Sequence, residues 1–279
     1  MHQLLRSRPN ANQPIVAGGR SATDRCYFNL LQLRAGETIR VAEPGFELLF
    51  VVMSGSVDLQ AGAGEFPAVG GRADIWSGPA DSVYAGTGTT TTVTGRAGHS
   101  EIAVAGGRCA QSFAPFRIRP AEVSTVDVGS LETHSHRRIS HILGQNAVGR
   151  AGHLLVSELR TDPGCWSGYP PHKHDEERPP EETAFQEIYH YRFRPETGFG
   201  AQLLYQAGGE PAAVMTRHGD TFLVDRGYHP TVTSPGHEEY IFTILVGEHQ
   251  RSLIQYFDPA HQHLVAAIPG IQAMRDKFK

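Results

Sequence analysis

Lysine is nearly missing from this chain. Only Lys173, Lys277 and Lys279 occur among 25 basic residues, so arginine carries almost all the positive charge. We read that bias as genomic codon usage, not as chemistry. With 29 acidic residues the formal net charge is −4, which argues against a general nucleic-acid binder, since such proteins displace counterions with a basic face. Cysteine is scarce as well. Cys26, Cys109 and Cys165 are odd in number and widely spaced, with no Cys-x-x-Cys, so neither a disulfide framework nor a thiolate zinc site is indicated. Long apolar runs are absent. The longest aliphatic one, Leu48 to Met53, falls far short of the roughly 20 residues that span a bilayer. The stretch from Met1 to Pro9 is too polar for a signal peptide. These absences lead us to expect a soluble, cytoplasmic protein with neither nucleic acid nor membrane among its partners.

Glycine, proline and histidine are plentiful, at 31, 18 and 15 of 279 residues. The glycines and prolines fall throughout the chain, which suits many short strands joined by turns. Strands are predicted at Tyr27–Leu33, Phe46–Met53, Val57–Leu59, Thr89–Thr94 and Ile102–Ala105. After a proline-bearing connector from Cys109 to Gly129, a second series follows. It runs through Arg137–Leu143, His153–Leu159, Tyr189–Phe193, Ala201–Tyr205, Thr221–Val224 and Tyr240–Val246. No amphipathic pattern exceeds ten residues, although Ile271–Lys279 suits a short helix. Phe46-Glu47-Leu48-Leu49 resembles Gln186-Glu187-Ile188-Tyr189, and Gly71-Arg72-Ala73-Asp74 resembles His218-Gly219-Asp220. The reading is an all-β fold of two tandem barrels, residues 1–125 and 130–265, with a tail at 266–279.

The segment Trp166-Ser167-Gly168-Tyr169-Pro170-Pro171-His172-Lys173-His174-Asp175 carries the chemistry. On a strand, side chains two apart share a face, so His172 and His174 point together and Lys173 points away. Two imidazoles on one face make half of a metal site. Glu187 reaches the same face if its strand pairs antiparallel with the histidine strand, and His229 follows a glycine turn. Three His and one Glu match the pattern of the cupin superfamily. Glu187 lies 13 residues after His174, longer than the common cupin spacing.

One family has that longer spacing. The chain resembles the 5-deoxy-glucuronate isomerases of myo-inositol catabolism, relatives of the uronate isomerases of pectin breakdown. The resemblance rests on the Pro-Pro-His-Lys-His-Asp string, Glu187–Phe193, Gly198–Gln202, Gly219-Asp220, Arg226–Pro230 and Asp258–His261. It implies a bicupin with one divalent ion (zinc, manganese or iron) on His172, His174, Glu187 and His229. The N-terminal barrel, lacking His-x-His, is expected to hold no metal. The implied activity is aldose–ketose isomerisation of a deoxy-uronate, 5-deoxy-glucuronate to 5-dehydro-2-deoxy-gluconate, making the chain an intramolecular oxidoreductase acting on a small sugar acid. The chain departs from the family at His190, Thr243 and His263, which touches the choice of substrate and not the metal site.

Such chemistry moves a proton between C1 and C2 of an open-chain sugar beside a Lewis acid. Tyr189 and Tyr191 share Glu187's strand parity and are candidates for the catalytic role; barrel wall is their other reading. Gln202 and Arg251 are candidates for substrate binding, Arg251 through the carboxylate. Gln202 reads equally as a partner for buried backbone, and Arg251 as a surface ion pair. Glu176, Glu177, Glu181 and Glu182 read as a solvated loop. A cupin dioxygenase with a three-His, one-Glu iron site and a non-catalytic sugar-binding cupin are the competing functions. The sequence leaves a homo-oligomer open.

Overall fold

The computed structural model describes residues 3–96 and 98–278. Strand dominates it, and the α-helices are short, His263–Ala267 and Ile271–Phe278. The chain divides into two compact units. The first takes Pro9–Ser124 and Ile142–Val156; the second takes the residues up to Arg8, Thr125–His141, and Ser157 onward.

Two segments therefore lie in a different unit from the one that chain order suggests. In the second unit, Leu4 pairs antiparallel with Phe222, Arg6 meets Asp220 at 2.6 Å, and the Ser7 amide donates to the same carboxylate at 2.9 Å. In the first unit, Glu47 is fully buried and accepts the amides of Gly152, His153 and Leu154 at 2.7, 2.6 and 2.8 Å. The Tyr84 hydroxyl donates to it at 2.6 Å. Apart from the Tyr84 bond, each tie links residues more than a hundred positions apart, so no local pattern announces it.

Each unit is a pair of sheets. The first has a five-stranded sheet ordered Phe116–Ile118, Asp81–Ala85, Phe46–Ser54, His99–Arg108, Cys26–Arg34. Opposite it lie Thr38–Val41, Thr91–Gly95, Ser56–Ala61 and Gly64–Gly70. The second unit repeats the order: Leu4–Leu5, Thr221–Val224, Phe185–Arg194, Glu238–Gly247, then residues 157–161, 137–141 and 125–128. Its smaller sheet runs Trp166–Ser167, Thr231–Thr233, Phe199–Leu204, Ala212–Arg217. The strands that carry Glu47 and Glu187 are the central ones of the matching sheets, so the weak sequence repeat is a repeat of architecture. This is an all-β, two-barrel fold.

Phe46–Ser54 is central because its side chains are apolar on both faces, and Leu49, Phe50, Val51 and Val52 are fully buried. Each such side chain contributes about 1.5–3 kcal/mol of transfer free energy. Gly64–Gly70, not expected as a strand, contains Pro67; it lies at a sheet edge, where a missing amide breaks no ladder. The connector from Cys109 to Gly129 is also partly ordered, with Phe116–Ile118 and Ser124–Val128 as strands. All three cysteines are free and buried. No helix of the described residues is long and apolar enough to cross a membrane.

Candidate metal centre

His172 and Lys173 form a two-residue strand paired with Tyr256–Phe257. His174 lies one residue past it, its carbonyl accepting the Phe185 amide at 2.7 Å. The alternation persists: both imidazoles are buried with centroids 6.1 Å apart. The Lys173 ammonium instead donates to Asp175, Glu176 and Glu182 at 2.6, 2.9 and 3.0 Å. Glu187 projects from Phe185–Arg194 between Val224 and Leu245 on the flanking strands. His229 follows Gly227, whose φ of +84° suits glycine and whose amide donates to Asp175 at 2.7 Å. Gln202 holds the far side of that turn, its amide nitrogen donating to the carbonyls of His229 and Pro230 at 2.8 and 3.2 Å.

The three histidines present donor atoms within 4.8 Å of one another, the only group of this kind among the described residues. Each ring is anchored through Nδ1 to a backbone carbonyl: His172 to Pro170 at 3.2 Å, His174 to Phe185 at 3.1 Å, His229 to Gly227 at 2.8 Å. A carbonyl can only accept, so each Nδ1 carries the proton and each Nε2 is left as a lone pair. Backbone-anchored tautomers of this kind are how ligating histidines are oriented.

Glu187 Oε2 stands 3.1 Å from His174 Nε2 and 3.4 Å from His229 Nε2. Neutral rings set lone pairs against a carboxylate in a buried site, an arrangement that a bound divalent ion, or a proton on His174 Nε2, makes favourable. His229 Nε2 is itself buried without a hydrogen-bond partner. The donor set fits a divalent ion: three neutral imidazoles, one carboxylate and a dry surround.

The groups of the site shift one another strongly. Burial opposes ionisation of Glu187, but hydrogen bonds and charge from His174 and His229 outweigh it and hold the carboxyl at about 2. Burial lowers His172 well below the usual imidazole range, with the charges of His229 and His174 adding to it. For His174, burial is outweighed by the hydrogen bond and charge of Glu187, and the net shift is upward.

A cavity opens on this centre. Its polar wall is formed by Arg137, His172, Glu187, Tyr189, Thr243 and Gln255, and its apolar wall includes Leu245 and Met274. Of the residues singled out from sequence, Tyr189 lines it and Tyr191, Gln202 and Arg251 do not. The Tyr191 hydroxyl is fully buried and donates to Gln202 Oε1 at 2.5 Å. Gln202 is spent on that bond and on backbone carbonyls, as its barrel reading anticipated. Among the family departures, Thr243 lies in the cavity wall, while His190 bonds to Thr221 and Arg192 and His263 is exposed.

Sequence reasoning missed Arg137 and Gln255. Arg137 begins the predicted strand Arg137–Leu143 with no site role assigned, yet only 2 % of it is exposed. Gln255 brings its amide nitrogen 2.9 Å from His172 Nε2. In the loop between His174 and Glu187, Glu176, Glu177 and Glu181 are exposed as expected, but Glu182 is not. Glu182 is wholly buried and accepts from Lys173, Arg178 and the amides of Asp175 and Glu176. Burying that carboxylate is favourable because it is so fully bonded.

A bicupin with a buried three-histidine centre in its second barrel is the class that this fold and site define. A family model described as the KduI/IolB family matches residues 4–264. The chain belongs to the KduI/IolB family. The 5-deoxy-glucuronate isomerase of Shouchella clausii is 30 % identical over 222 residues, 79 % of this chain and 80 % of that protein. The enzyme of the same name from Halalkalibacterium halodurans is 28 % identical over 257 residues, 90 % of this chain and 92 % of that one. The crystal structure of an IolB-like protein from Salmonella typhimurium LT2 superposes with a TM-score of 0.87 at 27 % identity, covering 95 % of this chain and 99 % of that one. An oxalate decarboxylase from Bacillus subtilis shares the fold at a TM-score of 0.64 and 10 % identity, covering 98 % of this chain and 84 % of its own. The chain is accordingly an enzyme of the isomerase class.

Proposed function

We propose that this enzyme interconverts 5-deoxy-glucuronate and 5-dehydro-2-deoxy-gluconate, with one divalent ion held by His172, His174, Glu187 and His229. The observation that carries the reading is the set of three clustered, Nδ1-anchored imidazoles, two of which, His174 and His229, bring Nε2 beside the Glu187 carboxylate. The names of the relatives supply the substrate. A divalent ion bound there supplies a Lewis acid that polarises the carbonyl and hydroxyl oxygens of an open-chain sugar.

The chain's own groups do the rest. The isomerisation moves one proton from C2 to C1 and another between the two oxygens, so no oxidant is consumed. Tyr189 is the phenol in the cavity wall. Burial, and then the charge of Glu187, raise it well above the ordinary phenol range. It therefore keeps its proton at working pH and serves as a donor to a substrate oxygen. The Lys173–Glu182 network holds the loop that enters and leaves His174, and Gln202 holds the turn that carries His229, so the ligands are positioned before substrate arrives.

The test is turnover of 5-deoxy-glucuronate by metal-replete protein in the absence of oxygen. Formation of the 2-deoxy-ketose without oxygen is the expected result. Oxygen uptake stoichiometric with substrate loss would contradict the isomerase and favour a dioxygenase.

A further inference from the structure

Arg137 is a buried guanidinium whose charge meets no carboxylate among the described residues. Its hydrogen bonds among the described residues go to neutral acceptors, Nη1 to the Ser135 carbonyl at 2.9 Å and Nη2 to the Tyr169 carbonyl at 2.6 Å. A guanidinium carries five N–H donors, so donors remain beyond those two. The side chain is 2 % exposed, and it lines the same cavity as His172, Glu187 and Tyr189. Burying a charge without an opposite charge is costly, and proteins keep such an arrangement where a ligand completes it.

We propose that Arg137 binds the carboxylate of the substrate, and that this contact selects a sugar acid over a neutral sugar. The proposal rests on the isomerase reading above. The cavity wall offers two kinds of group. His172 and Glu187, at the metal centre, suit a cation and, through it, the oxygens at C1 and C2. Arg137 offers a planar fork of N–H donors, which matches a carboxylate through two parallel hydrogen bonds. A molecule with adjacent carbonyl and hydroxyl oxygens at one end and a carboxylate at the other satisfies both. Arg251, the arginine that sequence reasoning favoured for this task, is outside the cavity wall.

Arg137 also holds the Tyr169 carbonyl, close to the Pro170 carbonyl that anchors His172. A purely structural role is therefore the rival, and the test must separate the two. The substrates are 5-deoxy-glucuronate and its analogue in which the carboxylate is reduced to a hydroxymethyl group. The variants are Arg137→Met, which keeps the stem, and Arg137→Lys, which keeps the charge but not the fork. Each is checked by far-UV circular dichroism. Wild-type protein should favour the acid in kcat/KM. Arg137→Met should lose on the order of 100-fold on the acid, the worth of a charged hydrogen-bond pair, and change less than about threefold on the neutral sugar. Arg137→Lys should fall between. Calorimetric binding of the acid should weaken in step, a readout that needs no turnover. An equal loss on both substrates, or no loss on the acid, overturns the proposal while leaving the isomerase standing. A wild-type enzyme that turns over the acid without preferring it does the same, and needs no variant to fold. Wild-type protein that neither binds nor converts the acid overturns the isomerase reading, and this proposal with it.

Discussion

At the scale of single residues, the centre is set by what each histidine does with its second nitrogen. Three backbone carbonyls take the Nδ1 protons, so the Nε2 lone pairs are fixed before any ion arrives. Strand parity marked out Tyr189 and Tyr191 as equals, yet their surroundings differ. Tyr189 faces the cavity, and Tyr191 bonds to Gln202 inside the barrel. Tyr189→Phe should therefore lower kcat by roughly 10- to 100-fold with little loss of stability. Tyr191→Phe should keep kcat within a few-fold and lose about 1–2 kcal/mol in urea denaturation. The reverse pattern would reassign the cavity phenol. Glu239 offers a pH test remote from the ligands. It is fully buried, accepts only from Thr233 at 2.9 Å, and has its other oxygen unpartnered among the described residues. Burial raises its pKa to about 7, against a small opposing effect of Thr233. The folded state then binds the proton more tightly than the unfolded state, so stability falls as pH rises from about 4.5 to about 7. Glu239→Gln should match wild-type stability near pH 4 and exceed it at pH 8 by up to about 3 kcal/mol. Thermal unfolding of both proteins across that range checks it, and a pH-independent difference would contradict it.

At the scale of elements, strands with long apolar runs were legible, Cys26–Arg34 at a sheet edge among them, and short or polar strands were not. Phe46–Ser54 and Glu238–Gly247 announce themselves by apolar runs, since both faces are covered. Gly64–Gly70 and Ala212–Arg217 alternate weakly because they sit at sheet edges, half in water. The His-x-His string was legible because its spacing is local. Arg137 and Gln255 were not, because what makes them notable is burial beside a cavity assembled from distant segments. In the loop from Asp175 to Ala184 only Glu182 misled, because it stands among glutamates and prolines with the composition of a solvated turn, which the exposed Glu176, Glu177 and Glu181 are. The loop's order comes from Glu182, which gathers Lys173, Arg178 and two amides onto one carboxylate. Glu182→Ala leaves Lys173, only 12 % exposed, without its most buried partner. The variant should lose roughly 2–4 kcal/mol. Amide exchange should rise first across residues 175–184, and metal affinity should weaken because His174 begins that loop. Unchanged exchange there would show that the loop is held by something else.

At the scale of the whole molecule, one sheet plan is used twice and put to different ends. In the second unit the central strand carries Glu187 toward three imidazoles. In the first unit the corresponding strand carries Glu47, whose carboxylate is consumed by three amides and the Tyr84 hydroxyl. An acceptor so completely satisfied has structural work and no lone pair to spare. The central claim is that His172, His174, Glu187 and His229 hold one divalent ion on which isomerisation depends. The measurement that tests it most directly is metal content per chain for wild type and His174→Ala, taken with turnover of 5-deoxy-glucuronate and far-UV circular dichroism. The account predicts about one ion per wild-type chain. In the variant, metal and activity should be lost together over an unchanged β-sheet spectrum, because the barrel core is apolar and the ion acts locally. Full metal retention with normal turnover in His174→Ala would contradict the account.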